Sequence, residues 1–510
     1  MGQVHRGSVR KENLGQLRLM MIVEVAVSLF LIWTIWYISK TCIKKQGMPP
    51  GPFPFPWIGN IPHVMFDQVF PFKKLSKEYG EIFTVFLPNG TFVVLNTASL
   101  ARNARLGTKD DIAGRSSESS YPLEQILGKD LVISDYSAGY LFRKRVFKSS
   151  IHVFGSGLGQ AEGRARHAVQ LALQEIEKCQ SFSPNKLIHS TIFAQVWEWL
   201  TSKKITLDDP IISLFNEMHE IITNLPREIS IYLLIPFLKY ITNNFNRKLE
   251  RAKDIKKQLF PQEFSAHRET YTPGVIRDLT DSFISAYENE IAKGTSKDIG
   301  SIEDIPDLML DVVVAGVDTA STTICWFILY NALHQDIQAK LHKELDDVVE
   351  NDRLPCWQDV QNMPYLQATL CEVLRRSELL PITGTTAIRD TTIGGYHIPK
   401  NTNVLINVDE IHHDPKEWPE PNEFKPERFL DSDGKFVGWT TKHAFMPFGL
   451  GRRECLGQVF GKIMLFTFAS TLLHLYKIEL PEGAEKPCTS PIGLNFHHPK
   501  DFKVVAKKRH

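Results

Sequence analysis

The chain has no cysteine pair at C-x-x-C spacing and no zinc-type cluster. Its seven cysteines, at positions 42, 179, 325, 356, 371, 455 and 488, are scattered as reduced cytosolic thiols are. It also has no charge imbalance. Lys plus Arg number 59 against 58 Asp plus Glu, so there is no polyelectrolyte surface and nucleic acid is not an expected partner. Repeats and low-complexity tracts are absent as well. What remains is 510 residues with a 43% hydrophobic fraction, enough for a sizeable core in one large domain or several ordinary ones.

One of the scattered cysteines stands apart. Cys455 lies in Phe448-Gly449-Leu450-Gly451-Arg452-Arg453-Glu454-Cys455-Leu456-Gly457, just ahead of a long apolar helical run. Gly449 and Gly451 allow backbone conformations closed to residues with a Cβ and let a flat cofactor lie against the main chain. Arg453 could pair with an anionic cofactor edge, and amides at the helix start could tune the sulfur. The spacing suits a metal-ligand loop. A buried, inert thiol in a glycine-rich turn is the bland alternative.

The N-terminus carries a different signal. Residues 1–18 are polar and basic, and Leu19 to Ile38 is a 20-residue apolar stretch ending in Trp33, Trp36 and Tyr37, long enough to span a bilayer. Glu24 interrupts it and must lie near an interface or find a partner. Aromatics followed by Lys40, Lys44 and Lys45 favour a retained anchor over a cleaved leader. Charge does not fix its orientation, because Arg6, Arg10, Lys11 and Arg18 precede the span. Residues 39–56, with Pro49, Pro50, Pro52, Pro54 and Pro56, form a stiff basic hinge before a domain at 57–510.

Within that domain Ile82 to Leu95 reads as a hairpin turning at Asn89-Gly90, and Ile388 to Ile398 as a second one at Gly394-Gly395. Helical patterns run from Gly139 to Ser149, from Glu162 to Lys178 and from Ile302 to His334. Ile229 to Ile241 is apolar but too short to span, which leaves a core segment or a patch on the membrane face. Gly316 and its neighbouring alanines in the long helix cost helical stability, so either something bulky approaches the backbone or another helix packs closely. Glu372 and Arg375 share one helix face. His412 and His413 are adjacent and so point apart, which argues against a metal site.

The arrangement FGxGxRxCxG resembles the haem-binding loop of the cytochrome P450 family. Pro-Pro-Gly-Pro after an anchor, Asp318-Thr319 on the long helix, Glu372-x-x-Arg375 and Pro426-Glu427-Arg428-Phe429 follow that family's order over nearly the whole chain. The resemblance is strongest to animal microsomal members of the steroid-17-hydroxylating and aryl-hydrocarbon-oxidising branches. It implies a mainly α fold, one large helical domain with a small β portion. It implies haem b between the long helix and the cysteine loop, with the Cys455 thiolate as axial ligand to iron.

By the same resemblance Asp318 and Thr319 are the catalytic acid-alcohol pair, one connected to solvent protons and the other donating them. Phe448, Arg453 and Gly316 would contact the cofactor. In the third helix the family's Trp and Arg propionate ligands are replaced by Tyr140 and Lys144. Arg143, one position off register, is expected to take over the arginine's role with help from Tyr140. Thr385 stands where some relatives place a propionate-binding histidine. Glu372, Arg375 and Arg428 should form a buried structural network.

The family setting implies a monooxygenase of the endoplasmic reticulum membrane, single-pass, with its catalytic domain in the cytosol. NADPH-cytochrome P450 reductase, and cytochrome b5 as a further donor, would dock on the basic face of Lys144, Arg145 and Lys148. Substrate, dioxygen and membrane lipid complete the partners, the substrate being a small lipophile, steroid-like or xenobiotic. A reductase-independent hydroperoxide isomerase or dehydratase and a non-enzymatic haem sensor or carrier are the alternatives, and both leave Asp318-Thr319 without an evident use.

Overall fold

The computed structural model describes residues 4–64, 72–108, 110–115, 123–128, 131–153, 158–234, 243–294, 298–350, 353–493 and 496–509. Helices dominate. Those of fourteen residues or more begin with α1 (Val4–Lys45), α2 (Ala138–Val153), α3 (Leu158–Ile176), α4 (Pro184–Thr201) and α5 (Pro210–Leu234). They continue with α6 (Asn243–Glu269), α7 (Leu279–Ala292), α8 (Ile305–Leu333), α9 (Gln335–Val348), α10 (Pro364–Ser377) and α11 (Gln458–Leu475).

The centre is α8. Pro306 enters in its first turn, where a missing N–H costs nothing, and the preceding 3-10 turn is fixed by a Ser301/Asp304 capping box. The helix is apolar nearly all round, which marks a helix enclosed by others. It packs chiefly against α4 and also against α6, α10 and α11. Both α8 and α11 are long and apolar enough to cross a membrane, yet both are mostly buried inside protein.

The β portion is small. Strands β1 (Ile82–Leu87) and β2 (Gly90–Leu95) form the expected hairpin, with Leu87 opposite Gly90. β6 (Asn403–Asn407) runs parallel to β2, and β3 (Ile382–Thr386) pairs antiparallel with β6. β4 (Thr391–Ile393) and β5 (Tyr396–Ile398) make the second expected hairpin, and β7 (Tyr476–Glu479) pairs with β8 (Val505–Lys508). Alternation along β2 sends Val93 and Leu95 into the main core and Phe92 and Val94 into a smaller cluster with Phe83 and Val85.

Two sequence expectations change at the N-terminus. The boundaries at 18/19 and 38/39 fall inside one continuous helix, because no breaker follows the apolar stretch until Gly47, where φ is +76°. The proline stretch is docked along β1 instead of acting as a bare spacer: Thr84 N–H donates to Pro50 O at 2.7 Å and its hydroxyl donates to Pro49 O at 3.0 Å. A Cβ on Gly51 would come within 2.0 Å of Thr84 O, so that approach requires glycine. Trp33 stacks on Trp57 at 4.9 Å and Tyr37 donates to Pro54 O at 2.9 Å, tying α1 to this segment. Leu29, Phe30, Leu31, Ile32 and Ile35 stay exposed on α1. In the Ile229–Ile241 stretch, the backbone beyond residue 234 and the side chains lie outside the described residues.

Candidate active site

The cysteine loop is built by its glycines. Gly449 and Gly451 hold φ of +66° and +73°, and a Cβ on Gly451 would stand 2.2 Å from Arg105 O. At Gly451, then, the close approach is that of another loop's backbone. Cys455 N–H donates to Phe448 O at 2.7 Å, which closes the loop, and Gly457 serves as N-cap of α11. Since α11 packs on α8, the loop is pinned at the end of a helix that touches the central one.

The Cys455 sulfur is surrounded by protein mass yet faces open space, and both facts matter. Surrounding mass pushes its thiol pKa up, while the Gly457 amide N–H pulls it down and Glu454 adds a smaller upward push. Accessibility within a deep recess is what a metal ligand needs and what a packed core thiol lacks. Cys325 and Cys371 show the contrast: both are fully buried, with thiols pushed well up by burial.

On α8 the packing is broken at one place. Ala315 is exposed and Thr319 half-exposed, one turn apart, in the middle of a helix whose other faces are covered. The Thr319 hydroxyl donates to Ala315 O at 2.8 Å, parked on the helix backbone and available to rotate. Asp318 points elsewhere, toward His189 of α4 and His219 of α5. Burial alone would raise its pKa, but the two imidazoles hold it well below the usual carboxylate range.

Gly316 requires a correction. A side chain there would meet Val196 of α4 at 3.5 Å, so the glycine serves helix contact and Ala315 marks the open face. Arg143 requires another. It is buried beside Tyr287 of α7 and the Gly300 turn, while Tyr140 and Lys144 face the cysteine loop. Tyr140 and Lys144 both reach Arg452 O, the tyrosine at 3.5 Å. The reason is helical geometry: neighbouring residues are turned by about 100°, so Arg143 and Lys144 cannot both face the loop.

Arg453 packs against α2. Its guanidinium stacks on Tyr140 at 3.9 Å and donates to Ala113 O and Ser134 O at 2.7 and 2.8 Å. Two arginines that sequence reasoning missed join it. Arg105 is buried, and burial, Arg115 and Arg453 together push its pKa down to about 9. Among the described residues no carboxylate pairs with Arg105. Its only signal in sequence was its spacing, four residues after the buried Ala101 in the turn that continues a short helix, where an apolar residue belongs. A buried guanidinium crowded by two others, with no carboxylate paired to it among the described residues, fits an anionic, carboxylate-bearing cofactor. The Thr385 hydroxyl, buried with no partner, adds an unused polar atom.

The proximal network forms as expected. Arg375 Nε and Nη2 each donate to Glu372 at 2.8 Å, and Arg428 Nε lies 3.4 Å from the same carboxylate. His412 is buried, pushed down to about 3 by burial and the Arg375 charge, and accepts from Met446 N–H at 3.3 Å. His413 turns away to Glu378.

An accessible thiol on a glycine loop, beside a buried arginine and an enclosed helix opened at a small residue, defines a haem-thiolate protein of helical fold. The chain belongs to the cytochrome P450 family, whose model matches residues 49–504. It is 31% identical to cytochrome P450 1B1 of Mus musculus, over 93% of this chain and 90% of that protein. To the steroid 17-alpha-hydroxylase/17,20 lyase of Squalus acanthias it is 28% identical, over 94% of this chain and 97% of that one. A zebrafish cytochrome P450 solved with progesterone superposes with a TM-score of 0.76 at 28% identity, over 88% of this chain and 99% of that one. The protein is therefore a monooxygenase that binds haem b through a cysteine thiolate, and it draws on redox partners, dioxygen and a lipophilic substrate.

Proposed function

We propose that this chain inserts one oxygen atom from dioxygen into a small lipophilic substrate, steroid-like or xenobiotic, with electrons from NADPH delivered by NADPH-cytochrome P450 reductase and assisted by cytochrome b5. The observation that carries the reading is the opening of α8 at Ala315 and Thr319, beside Asp318. Haem supplies the activation of dioxygen and the oxidation of the C–H bond. Cys455 would bind its iron through the thiolate, with Phe448 closing the loop behind the sulfur. Arg453, Arg105, Arg115, Tyr140 and Lys144 would hold its carboxylate edges.

Thr319 swings its hydroxyl from Ala315 O into the open space and there orders water and passes a proton. Asp318 exchanges protons with the imidazoles behind it. The names of the relatives support a steroid or aromatic substrate. The exposed apolar surface of α1 supports a single-pass anchor at 19–38 in the endoplasmic reticulum membrane. Residues 1–18 then precede the membrane, the helix runs on past it to Lys45, 46–56 form the docked hinge, and 57–510 work on the cytosolic side.

Reductase-driven turnover of lipophiles that shift the haem spectrum, progesterone among them, tests the reading. Thr319→Ala is expected to raise the ratio of hydrogen peroxide to product on the order of tenfold, below the roughly 10²–10⁴-fold that a positioned general acid contributes, because water still delivers protons. An unchanged ratio would remove Thr319 from the proton path.

Lys144→Ala is expected to lower the haem-to-protein ratio of purified protein. Arg143→Ala should leave that ratio at its starting value in whatever fraction folds, because its guanidinium faces α7. Haem loss from Arg143→Ala with full retention in Lys144→Ala would refute this assignment. Lys144, Arg145 and Lys148 also present the basic face on which an acidic electron donor docks.

A further inference from the structure

Three helices converge behind the open face of α8. His189 on α4 and His219 on α5 place their Nε2 atoms 3.4 and 2.5 Å from Asp318 Oδ1, and the two rings lie 4.3 Å apart. We propose that His189, His219 and Asp318 form a site for one Zn²⁺ ion, which when bound takes Asp318 out of proton exchange. The second half rests on the role given above to Asp318.

The hydrogen bonding around His189 carries the argument. Its Nδ1 lies 3.1 Å from Asn216 Oδ1, an acceptor, so the ring's first proton belongs on Nδ1. Nε2 then presents a lone pair toward a carboxylate oxygen. Both atoms are buried, and neither has a hydrogen bond of acceptable geometry, so their closeness is that of two acceptors. Two acceptors facing each other call for a cation between them. An oxygen acceptor behind the ring, here the Asn216 amide oxygen, is also what orients metal-binding imidazoles.

The donor set agrees. Two imidazole nitrogens and one carboxylate oxygen, all within 4.8 Å of one another, make a three-ligand site with room for a water. Nitrogen donors select against Mg²⁺ and Ca²⁺, which take oxygen. Zinc bonds of about 2.0–2.2 Å require His219 to withdraw from Asp318 by roughly an ångström. The Thr223 hydroxyl also lies 3.2 Å from its Nε2. The two histidine side chains are 13% and 21% exposed, which gives an ion a way in.

Two other clusters of similar composition differ in their surroundings. In His267-Asp278-Asp281 the cation's place is taken by Arg277, which grips Asp281 through Nε and Nη2. In Glu378-Asp409-His413, Arg376 stands against His413 at 2.5 Å. Around Asp318 the described residues supply only imidazoles, His498 being the third nearby through Thr322. A buried carboxylate oxygen that meets imidazole nitrogens, with no guanidinium or ammonium against it among the described residues, leaves a place for a cation.

Zn²⁺ alone is the probe. Chelator-treated, haem-loaded full-length protein should bind one zinc equivalent in equilibrium dialysis, unaffected by a hundredfold excess of Mg²⁺. The His189→Ala/His219→Ala protein should bind at least tenfold more weakly, and so should His219→Gln, which keeps the side chain's bulk. His443→Ala, at an exposed histidine elsewhere, should bind as the parent does. Absence of the equivalent, or its persistence in both histidine variants, would overturn the site and leave the oxygenase reading untouched, because dialysis requires no turnover. In reductase-driven turnover, zinc should raise the ratio of peroxide to product severalfold in the parent and not in the double variant. Bound zinc with an unchanged ratio would overturn the link to Asp318.

Discussion

Cys455→Ser is expected to abolish the red-shifted carbon monoxide band of the reduced protein while leaving a folded chain. The loop is held by features the substitution spares. Cys455 N–H still donates to Phe448 O, and Gly449 and Gly451 keep their left-handed conformations. What changes is the ligand atom. A thiolate is a soft, strongly donating ligand, whereas a serine hydroxyl does not give up its proton near neutral pH. The thiol is pushed up by burial, so the Gly457 amide and the metal charge must together favour the thiolate. No other cysteine combines accessibility with such a setting: Cys325 and Cys371 are buried, Cys356 is half-buried, and Cys42, Cys179 and Cys488 are exposed, none of these last four with flanking glycines. Circular dichroism on the same sample checks the fold. If the band survived in Cys455→Ser, another residue would have to be the ligand.

What was legible in the sequence is what local spacing determines. The cysteine loop, Asp318-Thr319 and the pair Glu372-Arg375 each lie within a few residues of chain, where helix or turn geometry fixes who meets whom. The two glycine-turned hairpins were legible for the same reason. The rotation of a helix about its own axis is set instead by what packs against it, and there the reading failed. Gly316 turns toward α4 and Arg143 toward α7 because tertiary contacts chose those faces. Assemblies from distant chain were invisible too. Arg105 meets the cysteine loop, and His189 and His219 reach Asp318 from 129 and 99 residues away (318 less 189, 318 less 219), distances over which no periodicity speaks.

The largest effect on the fold is expected at Arg375, where Arg375→Ala should leave little protein that accumulates folded and haem-loaded. The side chain is completely buried and every bond it makes is internal. It binds Glu372 twice, His412 O at 2.7 Å and Pro421 O at 2.9 Å, with its guanidinium carbon 5.2 Å from the Trp418 ring. Truncation leaves Glu372 ionised at zero exposure, supported by Lys425 N–H at 3.0 Å and by Arg428 at 3.4 Å. Stranding one member of a buried pair costs about 3–5 kcal/mol. Each carbonyl that loses its donor adds roughly 1–3 kcal/mol. Against a total stability on the order of 5–15 kcal/mol, that sum is decisive. Arg375→Lys should fare nearly as badly, because one ammonium cannot span a carboxylate and two carbonyls in the fork's fixed geometry. Lys343 and Asp347 form an ion pair at 2.5 Å with nearly the same helical spacing, but their side chains are 75% and 62% exposed. Lys343→Ala should therefore leave the yield of carbon-monoxide-reactive protein and its half-life at a fixed elevated temperature unchanged. Should Arg375→Ala accumulate and persist like Lys343→Ala, burial would not be what gives the Glu372-Arg375 pair its weight.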